Sequence, residues 1–157
     1  MKKFSLTDML IFVVATELVG AVSALISGNF RGFYEELKLP PLSPPGFVFP
    51  IVWAILYAAM GVSAYLIYRD EKHSAQRSTA LGLYVIQLAI NFAWSIVFFR
   101  FKLFIAAVII TVLLIIAVAA MIKSFHKVNS CAAIINIPYL LWTAFALYLT
   151  IGVTVLN

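Results

Sequence analysis

Five apolar segments dominate this chain, and each is about as long as a helix that crosses a membrane. A transmembrane helix needs about 20 mostly apolar residues. The segments that meet this requirement span residues 5–27, 47–68, 79–99, 103–123 and 130–154. The predicted fold is therefore an all-α integral membrane protein. We expect a single domain over residues 1–157, in which a five-helix transmembrane bundle carries a long structured loop between helices 1 and 2.

The composition excludes most soluble classes. Hydrophobic residues make up 64% of the chain and charged residues 11%, whereas a soluble domain is about one quarter charged. The net charge of +5 is spread over short loops, which favours contact with lipid headgroups and disfavours nucleic acid as a partner. The single cysteine, Cys131, excludes an internal disulfide and a cysteine-based metal cluster.

The N-terminus begins with basic residues, as a signal peptide does, but no small-residue cleavage motif follows. We therefore expect helix 1 to be retained. Basic loop residues are more numerous on the N-terminal side, which favours a cytoplasmic N-terminus. The short basic loops and the absence of an organelle-targeting segment favour a bacterial plasma membrane.

The loop between helices 1 and 2, residues 27–46, is long enough to need structure of its own. It ends in a proline-rich stretch with Pro40, Pro41, Pro44 and Pro45. Proline fixes φ and lacks an N–H, so this stretch is predicted to be a stiff, extended connector. Long loops of this kind often cover a site, and the alternative is an inert surface loop.

Glu17 is the one acidic residue well inside a span. Ionisable groups at membrane depth are costly and often functional. The alternative is a carboxyl that hydrogen-bonds a neighbouring helix or faces a second subunit. Gly20, Ala24 and Gly28 follow at four-residue spacing, which permits close helix packing.

Aromatic and amide side chains form stripes on helices 2 and 3. Trp53 and Tyr57 lie four residues apart on one face of helix 2, where they line a pocket or form an interfacial aromatic belt. On helix 3, spacings of three and four place one stripe toward the bundle interior. Its two amides either join helices or orient a ligand in an apolar pocket. The stripe consists of Tyr84, Gln87, Asn91 and Trp94.

Helix 4 is almost purely aliphatic and is predicted to face lipid or a second subunit. In helix 5, Pro138 should kink the span and open space for a ligand. Pro138, Trp142, Phe145 and Leu149 share one face of that helix. The aliphatic helix and the small-residue faces suggest a homodimer.

Conventional catalytic chemistry has few candidates here. His73 and His126 lie in predicted loops, and no metal-ligand set, phosphate-binding loop or serine-nucleophile motif occurs. We expect no metal site and no tightly bound cofactor. The three tryptophans, Trp53, Trp94 and Trp142, instead offer broad π-faces for a planar molecule.

Three blocks of the sequence stand out: PPLSPPGFVFPIVWAILYAAMG at residues 40–61, GLYVIQLAINFAWSIVFF at 82–99 and PYLLWTAFA at 138–146. Together and in this order they resemble the TspO/MBR family (translocator protein or tryptophan-rich sensory protein). The resemblance extends over nearly the whole chain. It implies a five-helix cavity that the first loop covers and that binds porphyrins and related tetrapyrroles.

The resemblance also implies site residues. In some members, light and oxygen convert protoporphyrin, and the matching tryptophans Trp53 and Trp142 are the candidate catalytic residues for such an activity. Tyr34 matches a lid tyrosine, and Asn91 and Trp94 match pocket positions. The complete predicted ligand site is Tyr34, Pro44, Phe47, Trp53, Tyr57, Gln87, Asn91, Trp94, Trp142 and Phe145.

Two departures from the family pattern bear on function. No basic residue follows Tyr148, so the C-terminal cholesterol motif of some relatives is incomplete, and the proline-rich stretch has Leu42 where relatives often have tryptophan. The sequence thus predicts a membrane protein that binds porphyrin as sensor, regulator or photo-oxidative enzyme. The alternative is a transporter of small molecules, lipids or sterols. Its expected partners are a tetrapyrrole, membrane lipid and a second copy of the chain.

Overall fold

The computed structural model describes residues 2–157, and in this range the chain is helical without strands. Five helical spans are long and apolar enough to cross a membrane. The predicted five-helix integral membrane fold is thereby confirmed. The helices are α1 (Leu6–Ser27), α2 (Phe30–Glu36), α3 (Val48–Tyr68), α4 (Ser74–Ser95, continued by a π-helical turn Ile96–Arg100), α5 (Phe104–His126), α6 (Ser130–Ile135) and α7 (Ile137–Leu156).

The helices form a closed ring around a central core. Helix α1 packs against α3 and α4, α5 packs against α4 and α7, and α6 completes the ring against α3. The middle of the ring is fully buried at Met60, Val118, Met121 and Phe125. Short turns connect most neighbours, so consecutive spans run antiparallel. The exception is the segment between α1 and α3, residues 28–47, which we call the lid.

Close packing of α1 against α3 depends on Gly61. A Cβ atom built at Gly61 would lie 2.6 Å from the Cα of Val13 and 2.9 Å from the Phe12 carbonyl oxygen. Only a residue without a side chain lets the two backbones approach this closely. Gly61 therefore sets the distance between the two helices.

The fourth span differs in part from the sequence prediction. One face of α5 is buried between its neighbours at Ala107, Thr111 and Val118, while Ile105 and Ile116 on the other face are 71% and 60% exposed. The helix is thus a structural member of the ring as well as a lipid-facing surface. The small-residue stripe of α1 is also used inside the chain, since Gly20 packs against Tyr57. The homodimer stays a prediction.

The predicted distortion of the fifth span is confirmed, and its position is Asn136. Helix α6 ends at Ile135, and Pro138 lies at the start of α7, where its missing N–H has no helical partner to lose. The Asn136 side chain donates to the Ala132 carbonyl and to Ser63 Oγ, both at 2.8 Å. The break is therefore tied to α3 by a hydrogen bond.

Candidate ligand-binding site

A cavity of about 290 Å³ lies between the lid and the centre of the bundle. Its volume is near the lower end of the range for small-molecule sites, about 300–1,000 Å³. The lid forms its roof, and α1, α3, α4, the π-helical turn and α7 form its walls. The aromatic lining consists of Phe30, Tyr34, Phe49, Trp53, Tyr57, Trp94, Phe98 and Phe99.

Two indoles reach the cavity from different helices. The ring of Trp53 lies 5.5 Å from that of Tyr57, one turn away on α3. The ring of Trp94 stacks on Phe98 at 5.2 Å with an interplanar angle of 16°. Aromatic surfaces of this size favour a flat, apolar ligand.

The π-helical turn gives the cavity two rings that sequence periodicity missed. The wider turn at Ile96–Arg100 places Phe98 and Phe99 on the lining together, although they are adjacent in sequence. In a regular helix, neighbouring side chains point about 100° apart. Both residues lie in the second family-like block, which was the one signal available for them.

The deep end of the cavity, which we call the floor, is polar. Glu17 and Tyr57 line the cavity from α1 and α3, and Asn91 lines it from α4. The Tyr57 ring packs closely against α1 at Gly20. A Cβ atom added at Gly20 would be only 2.3 Å from the ring. Both interpretations of Glu17 have support: the carboxyl hydrogen-bonds to the backbone of Ala58 on the neighbouring helix α3, and the side chain lines the cavity.

Beneath the floor, a buried hydrogen-bond network joins α3, α4 and α7. Asn91 Nδ2 donates to the Tyr139 hydroxyl at 3.0 Å, and that hydroxyl donates to Gln87 Oε1 at 2.7 Å. Gln87 Nε2 in turn points at Met60 Sδ at 3.5 Å. Gln87 is fully buried and does not line the cavity, whereas Asn91 does. Of the two roles considered for these amides, Gln87 joins helices, and Asn91 both joins helices and borders the cavity.

The roof of the cavity is held by hydrogen bonds within the lid. The hydroxyl of Tyr34 donates to the Pro44 carbonyl at 2.8 Å, and Ser43 Oγ donates to the Pro40 carbonyl at 2.7 Å. Burial raises the pKa of the Tyr34 phenol above its ordinary value. The phenol therefore stays protonated, and able to donate, throughout the physiological pH range.

The lid is also fastened to α7. Asn157 Oδ1 accepts from the Lys38 backbone N–H at 3.0 Å, and its Nδ2 donates to the Lys38 carbonyl at 2.9 Å. The hydroxyl of Tyr148 donates to the Pro41 carbonyl at 2.6 Å. Gly152 admits the Pro40 ring, since a Cβ atom there would lie 2.5 Å from it. The roof and the last helix thus form one connected unit.

Removing the paired contact of Asn157 should loosen the lid. In Asn157→Ala, loss of two hydrogen bonds, each worth about 1 kcal/mol, should speed exchange of the Lys38 amide by about tenfold or more. Hydrogen–deuterium exchange with mass spectrometry in nanodiscs measures this. Thr154→Val is the matched control, because the Thr154 hydroxyl donates only to the Thr150 carbonyl of its own helix. Equal exchange of the lid in both variants would contradict the proposed fastening.

The structure brings together half of the predicted site residues. Tyr34, Trp53, Tyr57, Asn91 and Trp94 all line the cavity. The others lie outside its lining. Pro44 supports Tyr34 through its carbonyl, Phe47 is 58% exposed at the start of α3, Gln87 lies in the network, and Trp142 and Phe145 line a separate groove with Val52, Leu56, Pro138 and Leu141.

Trp142 therefore lies behind the cavity wall. Its ring is 6.0 Å from that of Phe49, which lines the cavity from the other side. Its Nε1 is buried and has no hydrogen-bond partner among residues 2–157. Trp53 and Trp142, paired by the sequence-based hypothesis, thus have different access to a bound molecule.

Comparisons with known proteins agree with this architecture. The TspO/MBR family model matches residues 11–156. The chain is 29% identical to Protein CrtK of Rhodobacter capsulatus, over 98% of this chain and 94% of that one. It is 32% identical to the tryptophan-rich sensory protein of Cereibacter sphaeroides (87% and 83% covered) and 35% identical to the human translocator protein (78% and 73% covered). The matched residues include all of the cavity and the lid and nearly all of the five membrane helices. This chain therefore belongs to the TspO/MBR family.

Proposed function

We propose that this protein binds a planar tetrapyrrole of the protoporphyrin type in the cavity beneath the lid. The observation that carries the proposal is the aromatic lining, in which Trp53 and Trp94 approach from different helices. A flat ring system gains dispersion and stacking energy from such walls, and the few polar groups fix its orientation. The names of the relatives support a sensory or translocator role in general terms.

Two cations beside the lid support the same ligand class. Arg100 Nη1 donates to the Ile26 carbonyl at 3.0 Å, and Lys102 Nζ lies 4.5 Å from the centre of the Phe33 ring. Both side chains lie next to the lid and outside the cavity lining, where carboxylates of a tetrapyrrole that extend past the lid would meet them. Charge-assisted hydrogen bonds of this type are about twice as strong as neutral ones.

Transport is the competing function, because several relatives are called translocator proteins. The core below the cavity argues against passage through the bundle. Tyr57, Met60, Gln87 and Tyr139 fill this region and are each at most 7% exposed. Uptake of protoporphyrin into proteoliposomes that exceeds uptake into protein-free vesicles would favour transport over binding alone.

Light-dependent oxidation of the bound pigment by dioxygen is a further candidate activity, and the position of Trp53 on the lining favours it. An indole in contact with an excited porphyrin is placed to donate an electron, whereas Trp142 is separated from the cavity by Phe49. Illumination of the complex in oxygen should therefore yield a new chromophore more slowly in Trp53→Phe than in Trp142→Phe. Equal rates in both variants and in the original protein would show that the protein binds the pigment and that neither tryptophan takes part in its oxidation.

The binding proposal makes a quantitative prediction about two tryptophans. Trp53→Ala should weaken protoporphyrin IX binding by about tenfold or more, because a stacking surface worth about 1–2 kcal/mol is lost. Trp142→Ala should leave affinity within about threefold, since Trp142 does not line the cavity. Titration followed by Soret absorbance measures both. No saturable shift with the unmodified protein would contradict the proposed function, and equal losses in the two variants would contradict the assignment of the site.

We further propose a bacterial plasma membrane as the location. Two bacterial relatives match 98% and 87% of this chain. Membrane fractionation with antibody detection tests this assignment.

A further inference from the structure

The described lining of the cavity contains one carboxyl group, that of Glu17. Among the described residues that line it, Glu17 is the one acid, and none is a lysine or an arginine. The side chain is neither fully buried nor exposed, so it borders the space rather than the protein core. A charged group at membrane depth is costly, and it is kept where it meets a partner.

Glu17 lies at the floor, away from the lid. On α1 it precedes Gly20 by three residues and therefore shares its face, and Gly20 is the residue against which the Tyr57 ring rests. Glu17 and Tyr57 are close enough to interact electrostatically. The Glu17 carboxyl hydrogen-bonds to the backbone of Ala58, and neither Glu17 nor Tyr57 makes a hydrogen bond to another side chain within residues 2–157. A carboxylate can accept several hydrogen bonds, so this one leaves acceptor capacity free at the floor.

The lid end has the opposite charge balance. Arg31, Lys38, Arg100 and Lys102 stand on or beside the lid, against Glu35 and Glu36. Arg100 and Lys102 are fixed in place by contacts to the end of α1 and to Phe33. The lid end of the bundle is therefore basic outside the cavity lining, whereas the lining itself has an acid at the floor.

We infer that Glu17 is a specificity-determining residue that selects ligands with a protonated amine or an N–H donor at the end that enters first. The carboxyl accepts a hydrogen bond from such a group, and a carboxylate on the ligand is repelled from the floor. The inference deepens the proposed function and rests on it. It means that a tetrapyrrole enters with its carboxylate edge at the lid, and that planar aromatic amines are a second ligand class for the same cavity.

Two nearly isosteric probes test the inference. 9-Aminoacridine is a planar cation with N–H donors at neutral pH, and acridine is its neutral counterpart without the amine. The original protein in nanodiscs should bind 9-aminoacridine about tenfold or more tightly than acridine, because a hydrogen bond to a charged group is worth more than a neutral contact. In Glu17→Gln, which keeps the size of the side chain, this ratio should fall to about threefold or less while acridine affinity is unchanged. Tryptophan fluorescence quenching, corrected for partition into empty nanodiscs, gives both affinities.

A control variant distinguishes a specific effect of Glu17 from the general effect of removing a negative charge from α1. Asp8 lies on the same helix, is exposed and does not line the cavity, so Asp8→Asn should keep the original ratio. Equal ratios in the original protein, Glu17→Gln and Asp8→Asn would overturn the role of Glu17. Protoporphyrin IX is titrated in parallel. If protoporphyrin IX binds while Glu17→Gln leaves the amine ratio unchanged, the inference about the floor fails and the proposed function stands. If neither protoporphyrin IX nor the acridines bind, both fail.

Discussion

Gly61→Ala is expected to destabilise the protein by about 2 kcal/mol, and larger side chains at this position are expected to prevent folding. The added methyl group would lie 2.6 Å from the Val13 Cα and 2.9 Å from the Phe12 carbonyl oxygen. These are backbone atoms, so no rotamer change relieves the overlap, and α1 must move away from α3. Overpacking of a tight interface typically costs about 1–3 kcal/mol. Unfolding by SDS titration in mixed micelles, followed by far-UV circular dichroism, measures the loss.

Gly82→Ala is the matched control for this prediction. Gly82 also lies inside a membrane helix, but a Cβ atom there would meet nothing within 4 Å. Since alanine is a better helix former than glycine by up to about 1 kcal/mol, Gly82→Ala should be neutral or stabilising. A similar loss of stability in both variants would mean that the α1–α3 distance is not set by Gly61.

Tyr139→Phe should destabilise the bundle by about 2 kcal/mol, although it removes a single oxygen atom. The Tyr139 hydroxyl accepts from Asn91 and donates to Gln87, and all three side chains are at most 4% exposed. Without the hydroxyl, one buried amide donor and one buried amide oxygen lose their partners, at about 1–3 kcal/mol per unsatisfied group before relaxation. The same unfolding titration measures the effect.

Tyr68→Phe provides the comparison, because the Tyr68 ring contacts Phe12 and Lys2 while its hydroxyl has no hydrogen bond among residues 2–157. Its stability should change by less than about 0.5 kcal/mol. A double-mutant cycle with Gln87→Leu then isolates the coupling between Tyr139 and Gln87. A coupling indistinguishable from zero would show that the network contributes packing alone.

The membrane spans and the inward stripe of α4 could be predicted from the sequence because both depend on local physics. Hydropathy over about 20 residues identifies a span, and spacings of three and four place Asn91 and Trp94 on one face. The proline-rich stretch was predicted to be extended, and this was wrong at its centre: the Ser43 N–H donates to the Pro40 carbonyl at 3.3 Å and Leu42 has a φ of 67°, so the chain turns there. For the spans and the α4 stripe, the sequence was enough to identify the element, and the structure added where each one lies in the bundle.

The placement of Trp142 and Phe145 could not be predicted in this way. Both share a face of α7 with Leu149, as the spacing required, yet only Leu149 lines the cavity. Periodicity shows which residues share a face of a helix. It does not show at which positions along that face a neighbouring helix packs against it. Near Trp142 that face borders Val52 and Leu56 of α3, and the cavity begins one turn later, at Ala146. Phe98 and Phe99 were missed for a related reason, because a π-helical turn has no reliable sequence signal.

The break at Asn136 gives the last span two mechanically separate parts. Helix α6 stays with α3 through the Asn136–Ser63 hydrogen bond, while α7 carries the lid through Asn157, Tyr148 and Gly152. Tyr139, three residues after the break, holds the start of α7 to α4 through Asn91 and Gln87, so the anchored end of α7 and its lid-bearing end are held by different partners.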